Sequence, residues 1–149
     1  MHYVWGKGDV ILAGDQPVAS ADRSWWRERA EVSIGGAEWL FRAEGGDRVG
    51  ESQGQPRIRA RRRSMWIHRY DVETAHASYT LGQKNVWSSR LVLTRHGAEI
   101  GEARRSSLWA NRPELTTTLD VPAEDAVFLL WLAYIIAARD DSSATSATM

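Results

Sequence analysis

Few residues in this sequence have the types and spacing that acid–base or metal chemistry requires. The four histidines are His2, His68, His76 and His96, and none has metal-ligand spacing with another histidine or with a helical carboxylate. His68 and His76 bracket a predicted hairpin, which favours solvated side chains over a paired site. The chain has no cysteine, no G-x-S-x-G elbow and no glycine-rich phosphate loop. We therefore predict no catalytic residue, no metal and no cofactor, and a protein that is not an enzyme.

Phosphate recognition is the one chemistry for which the sequence offers a local cluster. The window from Ser52 to Tyr70 contains no acid and carries six arginines: Arg57, Arg59, Arg61, Arg62, Arg63 and Arg69. Alternate residues of a strand share one face about 7 Å apart. We therefore predict a row formed by Arg57, Arg59, Arg61 and Arg63, which we call the arginine row and assign to an anionic headgroup because guanidinium groups bind phosphate bidentately. The alternative is a solvated outer face that Asp and Glu of adjacent strands neutralise.

The elements that must position this row have the period of β-strands. Apolar residues alternate with polar residues up to residue 122, and Gly, Pro and Asn punctuate the pattern at short intervals. The predicted strands are residues 30–34, 39–44, 57–61, 66–72, 78–81, 88–93 and 115–119. A short helix over 21–31 is also predicted. Many short strands at this spacing indicate a sandwich or a barrel.

Two segments resemble one another and indicate a repeated hairpin. Residues 46–51 read GDRVGE and residues 97–102 read GAEIGE, and each segment is followed by an Arg-Arg pair and then a tryptophan. We predict that the first glycine of each segment lies in a hairpin turn. The second glycine would permit a β-bulge or a close approach of the backbone.

The period changes after Pro122, where an unbroken apolar run of 13 residues covers 126–138. A helix over about 122–138 would be apolar on every face, so it must be buried on all sides or lie in a membrane. The run is shorter than the roughly 20 residues that a bilayer requires, which favours a core helix over a tail anchor. We therefore predict a mainly β fold, a closed antiparallel barrel of about 10–12 strands around a central hydrophobic C-terminal helix. The single domain covers residues 1–141, and 142–149 form a disordered polar tail.

The short strands, the G-x-x-[VI]-G-E turns and the apolar helix introduced by residues 119–122, LDVP, resemble the tubby C-terminal-like superfamily. The likeness is to small bacterial members of the phospholipid scramblase and LURP-one-related type, over residues 30–139. This resemblance implies a twelve-stranded barrel around a C-terminal helix. It also implies lipid ligands, since tubby proteins bind phosphoinositide headgroups through basic residues and scramblases move lipids. The chain lacks the cysteine cluster and the acidic calcium loop of scramblases.

Two functions remain open from the sequence. The first is a non-catalytic binding module for anionic phospholipid headgroups, located in the cytoplasm or at the membrane periphery. The second is an interaction or assembly domain in which Trp25 and Trp26 contact a protein partner or a second copy, because adjacent residues of a strand cannot both face one core. Lys plus Arg and Asp plus Glu number 19 each. This balance argues against nucleic acid as a partner.

Overall fold

A computed structural model describes residues 1–21, 29–63, 69–84, 90–105 and 113–147. Within these ranges the chain forms twelve strands, one short 3-10 turn at Lys7–Asp9 and one helix, α1, at Ala123–Ala147. The strands are β1 His2–Trp5, β2 Val10–Ala13, β3 Gln16–Ala21, β4 Arg29–Ile34, β5 Ala37–Glu44, β6 Asp47–Ser52, β7 Gln55–Arg62, β8 Arg69–Glu73, β9 Ser78–Gln83, β10 Leu91–Arg95, β11 Ala98–Arg105 and β12 Pro113–Thr117.

The strands close into an antiparallel barrel. Each strand pairs with its neighbours in the sequence, and β1 pairs with β12, with His2 opposite Thr116. Closure removes the unpaired edges that an open sheet of such short strands would expose. The predicted fold class is therefore confirmed, at twelve strands.

The part of α1 from Ala126 to Ile136 lies inside the barrel. The seven consecutive residues from Ala126 to Leu132 have no exposed surface, so every face of these two turns is covered. On one side the ring of Phe128 contacts Phe41 of β5, with centroids 5.2 Å apart. Trp131 also packs against Phe41 at 5.4 Å. In the described part of the chain no helix is long and apolar enough to cross a membrane.

Both similar segments form hairpin turns, as predicted. The first glycines fall in the turns between β5 and β6 and between β10 and β11. At the second glycines the register shifts by one residue, beside Gly50 in the β6–β7 pair and beside Gly101 in the β10–β11 pair. A Cβ atom on Gly50 would lie 3.2 Å from the ring of Phe128. Gly50 therefore lets this part of the barrel wall approach the central helix closely, whereas a Cβ atom on Gly101 would meet Thr116 and Thr117 of β12.

Two boundaries differ from the sequence prediction. The helix extends beyond its predicted end near residue 138, because α1 continues to Ala147. It overlaps the predicted disordered tail over 142–149 up to Ala147, and residues 148 and 149 lie outside the described residues. Residues 139–147 contain no Gly or Pro that would end a helix. The predicted helix over 21–31 is also wrong at its ends, since β3 extends to Ala21 and β4 begins at Arg29. Cross-strand pairing of Ala21 with Val32 outweighs the local pattern there.

Candidate functional site

Arg59 of the arginine row belongs to an ion-pair network on the outer face of the barrel. Its guanidinium lies 3.0 Å from the Oδ2 atom of Asp47 and 3.2 Å from the Oε2 atom of Glu44, and Glu44 also pairs with Arg42. The hydrogen bond to Asp47 raises the pKa of Arg59 above its usual value. Val49 of β6 is paired with Arg42 on β5 and with Arg59 on β7, and it has no exposed surface. Arg59 therefore matches the alternative of a neutralised outer face.

The other members of the arginine row separate from one another. Arg63 lies just beyond the end of β7, and its Nε atom is 2.6 Å from the Oδ2 atom of Asp71 on β8. Arg61 is exposed and makes no ion pair with any described residue. Arg57 sits at the register shift in β7, and its side chain lines a cleft at one end of the barrel. The four guanidinium groups therefore have different surroundings: those of Arg59 and Arg63 are paired with acids, Arg57 lines the cleft, and Arg61 has no ion pair with a described residue.

A second group of cations surrounds a shallow groove on the outer wall of β8, β9 and β10. We call it the basic groove and define it by six of its lining residues: Arg63, Arg69, Thr80, Gly82, Lys84 and Thr94. Its volume is about 270 Å³. The backbone N–H of Arg63 donates to the carbonyl of Arg69 at 2.9 Å, and Arg69 is opposite Gly82 on β9. The strand pairing thus gathers cations that are far apart in sequence.

The charges of the basic groove are unequally compensated. Arg69 and Lys84 are exposed and make no ion pair with any residue in the described ranges. Thr80 donates a hydrogen bond to Asp71, the acid that holds Arg63, at 3.3 Å. Glu99 also lines the groove, but it is paired with Arg90 at 3.1 Å. Among the described residues, the groove therefore presents an excess of positive charge, and Thr94 also lines it.

The cleft that contains Arg57 lies at the barrel end where α1 begins. We call it the end cleft. It has a volume of about 460 Å³, and the residues that matter for its chemistry are Trp39, Gln53, Arg57, Ile58, His76 and Asp125. They come from turns between strands, from β5 and β7 and from the first turn of α1. An apolar cleft with a few polar groups is the usual form of a small-molecule site.

Among the described acids, Asp125 is the fully buried one, at 1% exposure. Its Oδ2 atom accepts hydrogen bonds from Tyr79 at 2.8 Å and from Thr74 at 3.0 Å, whereas its Oδ1 atom has no partner in the described part of the chain. Burial raises the pKa of the Asp125 carboxyl above its usual range. Burial and the bond to Asp125 also raise the pKa of the Tyr79 phenol.

The histidines that fall in the described ranges do not form a metal site. His76 is 2.7 Å from Glu124, and this bond raises the pKa of the imidazole. His2 pairs with Glu114 at 2.7 Å, and His96 lies in the β10–β11 turn. His68 lies outside the described residues. Across the described ranges, no three His, Asp or Glu side chains are placed to hold a metal ion.

Sequence reasoning missed Lys84, Gly82 and Asp125. The β8–β9 pairing places Gly82 opposite Arg69, and Lys84 lines the same groove. The sequence contains no direct signal for this pairing. The burial of Asp125 could have been predicted from the sequence, because this acid directly precedes an apolar run that must be buried. Trp25 and Trp26, the predicted contacts for a partner or second copy, lie outside the described residues.

Comparison with known proteins does not assign this chain to a family. No protein-family model, curated protein or solved structure matches the chain.

Proposed function

We propose that this protein is a non-catalytic binding module for anionic phospholipid headgroups and that the basic groove is its binding site. One observation carries the proposal: Arg69 and Lys84 line a groove of about 270 Å³ and make no ion pair with any described residue. By contrast, Arg59, outside the groove, and Arg63, which also lines it, are paired with acids. An anionic ligand would complete the charge balance at the groove.

The chemistry of the groove suits a phosphate group. Arg69 offers a planar fork for two phosphate oxygens, and Lys84 offers a compact charge on a flexible stem. The Thr94 hydroxyl has no hydrogen bond to a described residue and supplies a neutral donor. Gly82, which has no side chain, also lines the groove. The chain has zero formal net charge, so attraction to an anionic surface must come from a local patch of this kind.

The alternative function, an interaction domain that uses Trp25 and Trp26, has no observation in its favour among the described residues. The proposal for lipid headgroups therefore leads, and the resemblance to lipid-binding proteins is consistent with it.

Co-sedimentation with vesicles tests the proposal. We expect the wild-type protein to pellet with phosphatidylglycerol or phosphoinositide vesicles and to stay in solution with neutral phosphatidylcholine vesicles. Each basic residue near an anionic membrane contributes roughly 1 kcal/mol, so the double variant Arg69→Ser and Lys84→Ser should lose about 2 kcal/mol, or about thirtyfold in affinity. Binding should also weaken at higher salt, because ions screen exposed charges.

The matched control removes the same charge from the arginine row, through Arg59→Ser with Arg61→Ser, two residues that line neither the basic groove nor the end cleft. We expect this variant to bind anionic vesicles within about threefold of the wild type, a difference below about 1 kcal/mol. Equal loss of binding in both double variants would show that overall charge and not the groove is responsible. Failure of the wild type to pellet with either anionic lipid would refute the proposal.

A further inference from the structure

The end cleft has the features of a second binding site, separate from the basic groove. The two share no lining residue. The end cleft is the larger, at about 460 Å³ against about 270 Å³. Its wall includes the side chains of Trp39 and Ile58, which are 9% and 2% exposed. A cleft of this size with an apolar wall can hold a small molecule that has an apolar body.

The cleft also carries two opposite charges whose hydrogen-bonding capacity is incompletely used. Arg57 is exposed and makes no ion pair with any residue in the described ranges. Asp125 lines the same cleft, is 1% exposed, and has an Oδ1 atom without a partner among the described residues. His76 and Glu124 also line the cleft, and they are paired with one another, with the Nε2 atom of His76 2.7 Å from the Oε1 atom of Glu124. Among the described residues, the cleft is therefore left with one cation that has no ion pair and one buried carboxyl oxygen that has no hydrogen bond.

Leaving a buried carboxylate oxygen without a hydrogen bond is unfavourable by about 1–3 kcal/mol, and more when the group is charged. Neighbouring side chains do not relieve this cost, because Thr74 and Tyr79 both donate to the other oxygen, Oδ2. A ligand that donates to Oδ1 would relieve it. A charged donor such as an ammonium group would do so best, because a charge-assisted hydrogen bond is stronger than a neutral one.

We propose that the end cleft binds a small zwitterion. A primary ammonium group donates to Asp125, an apolar body packs against Trp39 and Ile58, and an anionic group pairs with Arg57. Both an apolar amino acid, with a carboxylate, and phosphoethanolamine, with a phosphate, have this combination of charges. The ligand is bound and released unchanged.

Calorimetric titration with four probes tests this assignment. Leucine and phosphoethanolamine represent the two kinds of zwitterion. Isopentylamine is leucine without its carboxylate, and 4-methylpentanoate is leucine without its amine. We expect saturable binding of at least one zwitterion at millimolar concentration. If leucine is the ligand, isopentylamine and 4-methylpentanoate should each bind at least about tenfold more weakly than leucine. If only phosphoethanolamine binds, the anionic half is a phosphate, and ethanolamine and inorganic phosphate are the matched single-charge probes.

Two variants locate the binding in the end cleft. Asp125→Asn keeps an oxygen that accepts from Thr74 and Tyr79 but removes the charge, and Arg57→Ser changes an exposed side chain that the fold does not need. Each should weaken zwitterion binding by about tenfold or more, the cost of losing one charge-assisted bond. If Asp125→Asn fails to fold by circular dichroism, Arg57→Ser alone decides. The proposal is overturned if neither zwitterion binds the wild type or if the folded variants bind as tightly as the wild type.

Discussion

Replacing Gly50 by alanine tests the close approach of the barrel wall to the central helix. The added Cβ atom would lie 3.2 Å from the Cδ2 atom of Phe128 and 3.3 Å from the ring of Phe41. Both rings are completely buried and packed edge to face, so neither can move without disturbing the core. Overpacking of this kind costs about 1–3 kcal/mol. For a chain of 149 residues this corresponds to a fall of roughly 2–12 °C in Tm.

The same motif supplies the control. A Cβ atom on Gly46 would meet no heavy atom within 4 Å, and the φ angle of Gly46 is not positive. Gly46→Ala should therefore change stability by less than about 0.5 kcal/mol, as for an ordinary surface substitution. The measurement is chemical denaturation of both variants and of Gly50→Ala combined with Phe128→Leu, where the smaller side chain should recover part of the loss. Equal stability of Gly50→Ala and Gly46→Ala would refute the packing of α1 against β6.

Two further predictions concern α1. Leu130 has no exposed surface, so Leu130→Asp would bury a charge without a partner. This variant should be insoluble or should lack a near-ultraviolet circular dichroism signal. A cooperative thermal transition close to that of the wild type would contradict the central position of the helix. Burial raises the pKa of Asp125, so the folded chain binds this proton more tightly than the unfolded chain, and wild-type stability should fall as pH rises through the interval between the two pKa values. Asp125→Asn should remove that part of the slope in melts taken just above the ordinary aspartate pKa, and parallel stability curves for the two proteins would argue against the pKa shift.

The sequence predicted the architecture well because the strongest constraint was a single segment. An apolar run of 13 residues cannot leave any of its faces in water, and only a closed wall can cover a helix on every side. The GxxVGE and GxxIGE segments predicted two hairpins and their bulges, since glycine at a fixed position has few structural uses. The end of the helix was less predictable, because residues 139–147 neither favour nor prevent a helix strongly.

The candidate site was less predictable because its charges depend on cross-strand pairs. Alternation along β7 correctly indicates an outward direction for Arg59 and Arg61, but it contains no information about the acids on β6 and β8. Asp47 pairs with Arg59, and a register shift removes Arg57 from the series. Lys84 joins Arg69 only through the β8–β9 pairing. Predicting which cations stay unpaired requires the strand register, which the sequence alone does not contain.

An amide chemical-shift titration tests the proposed headgroup site most directly. The probe is a soluble short-chain phosphatidylglycerol, added to isotopically labelled protein below the concentration at which it forms micelles. We predict saturable shifts at the backbone amides of Thr80, Gly82 and Thr94, which lie in the basic groove. Shifts confined to the amides around Val49 and Arg59, or an absence of saturable shifts in the groove, would contradict the assignment.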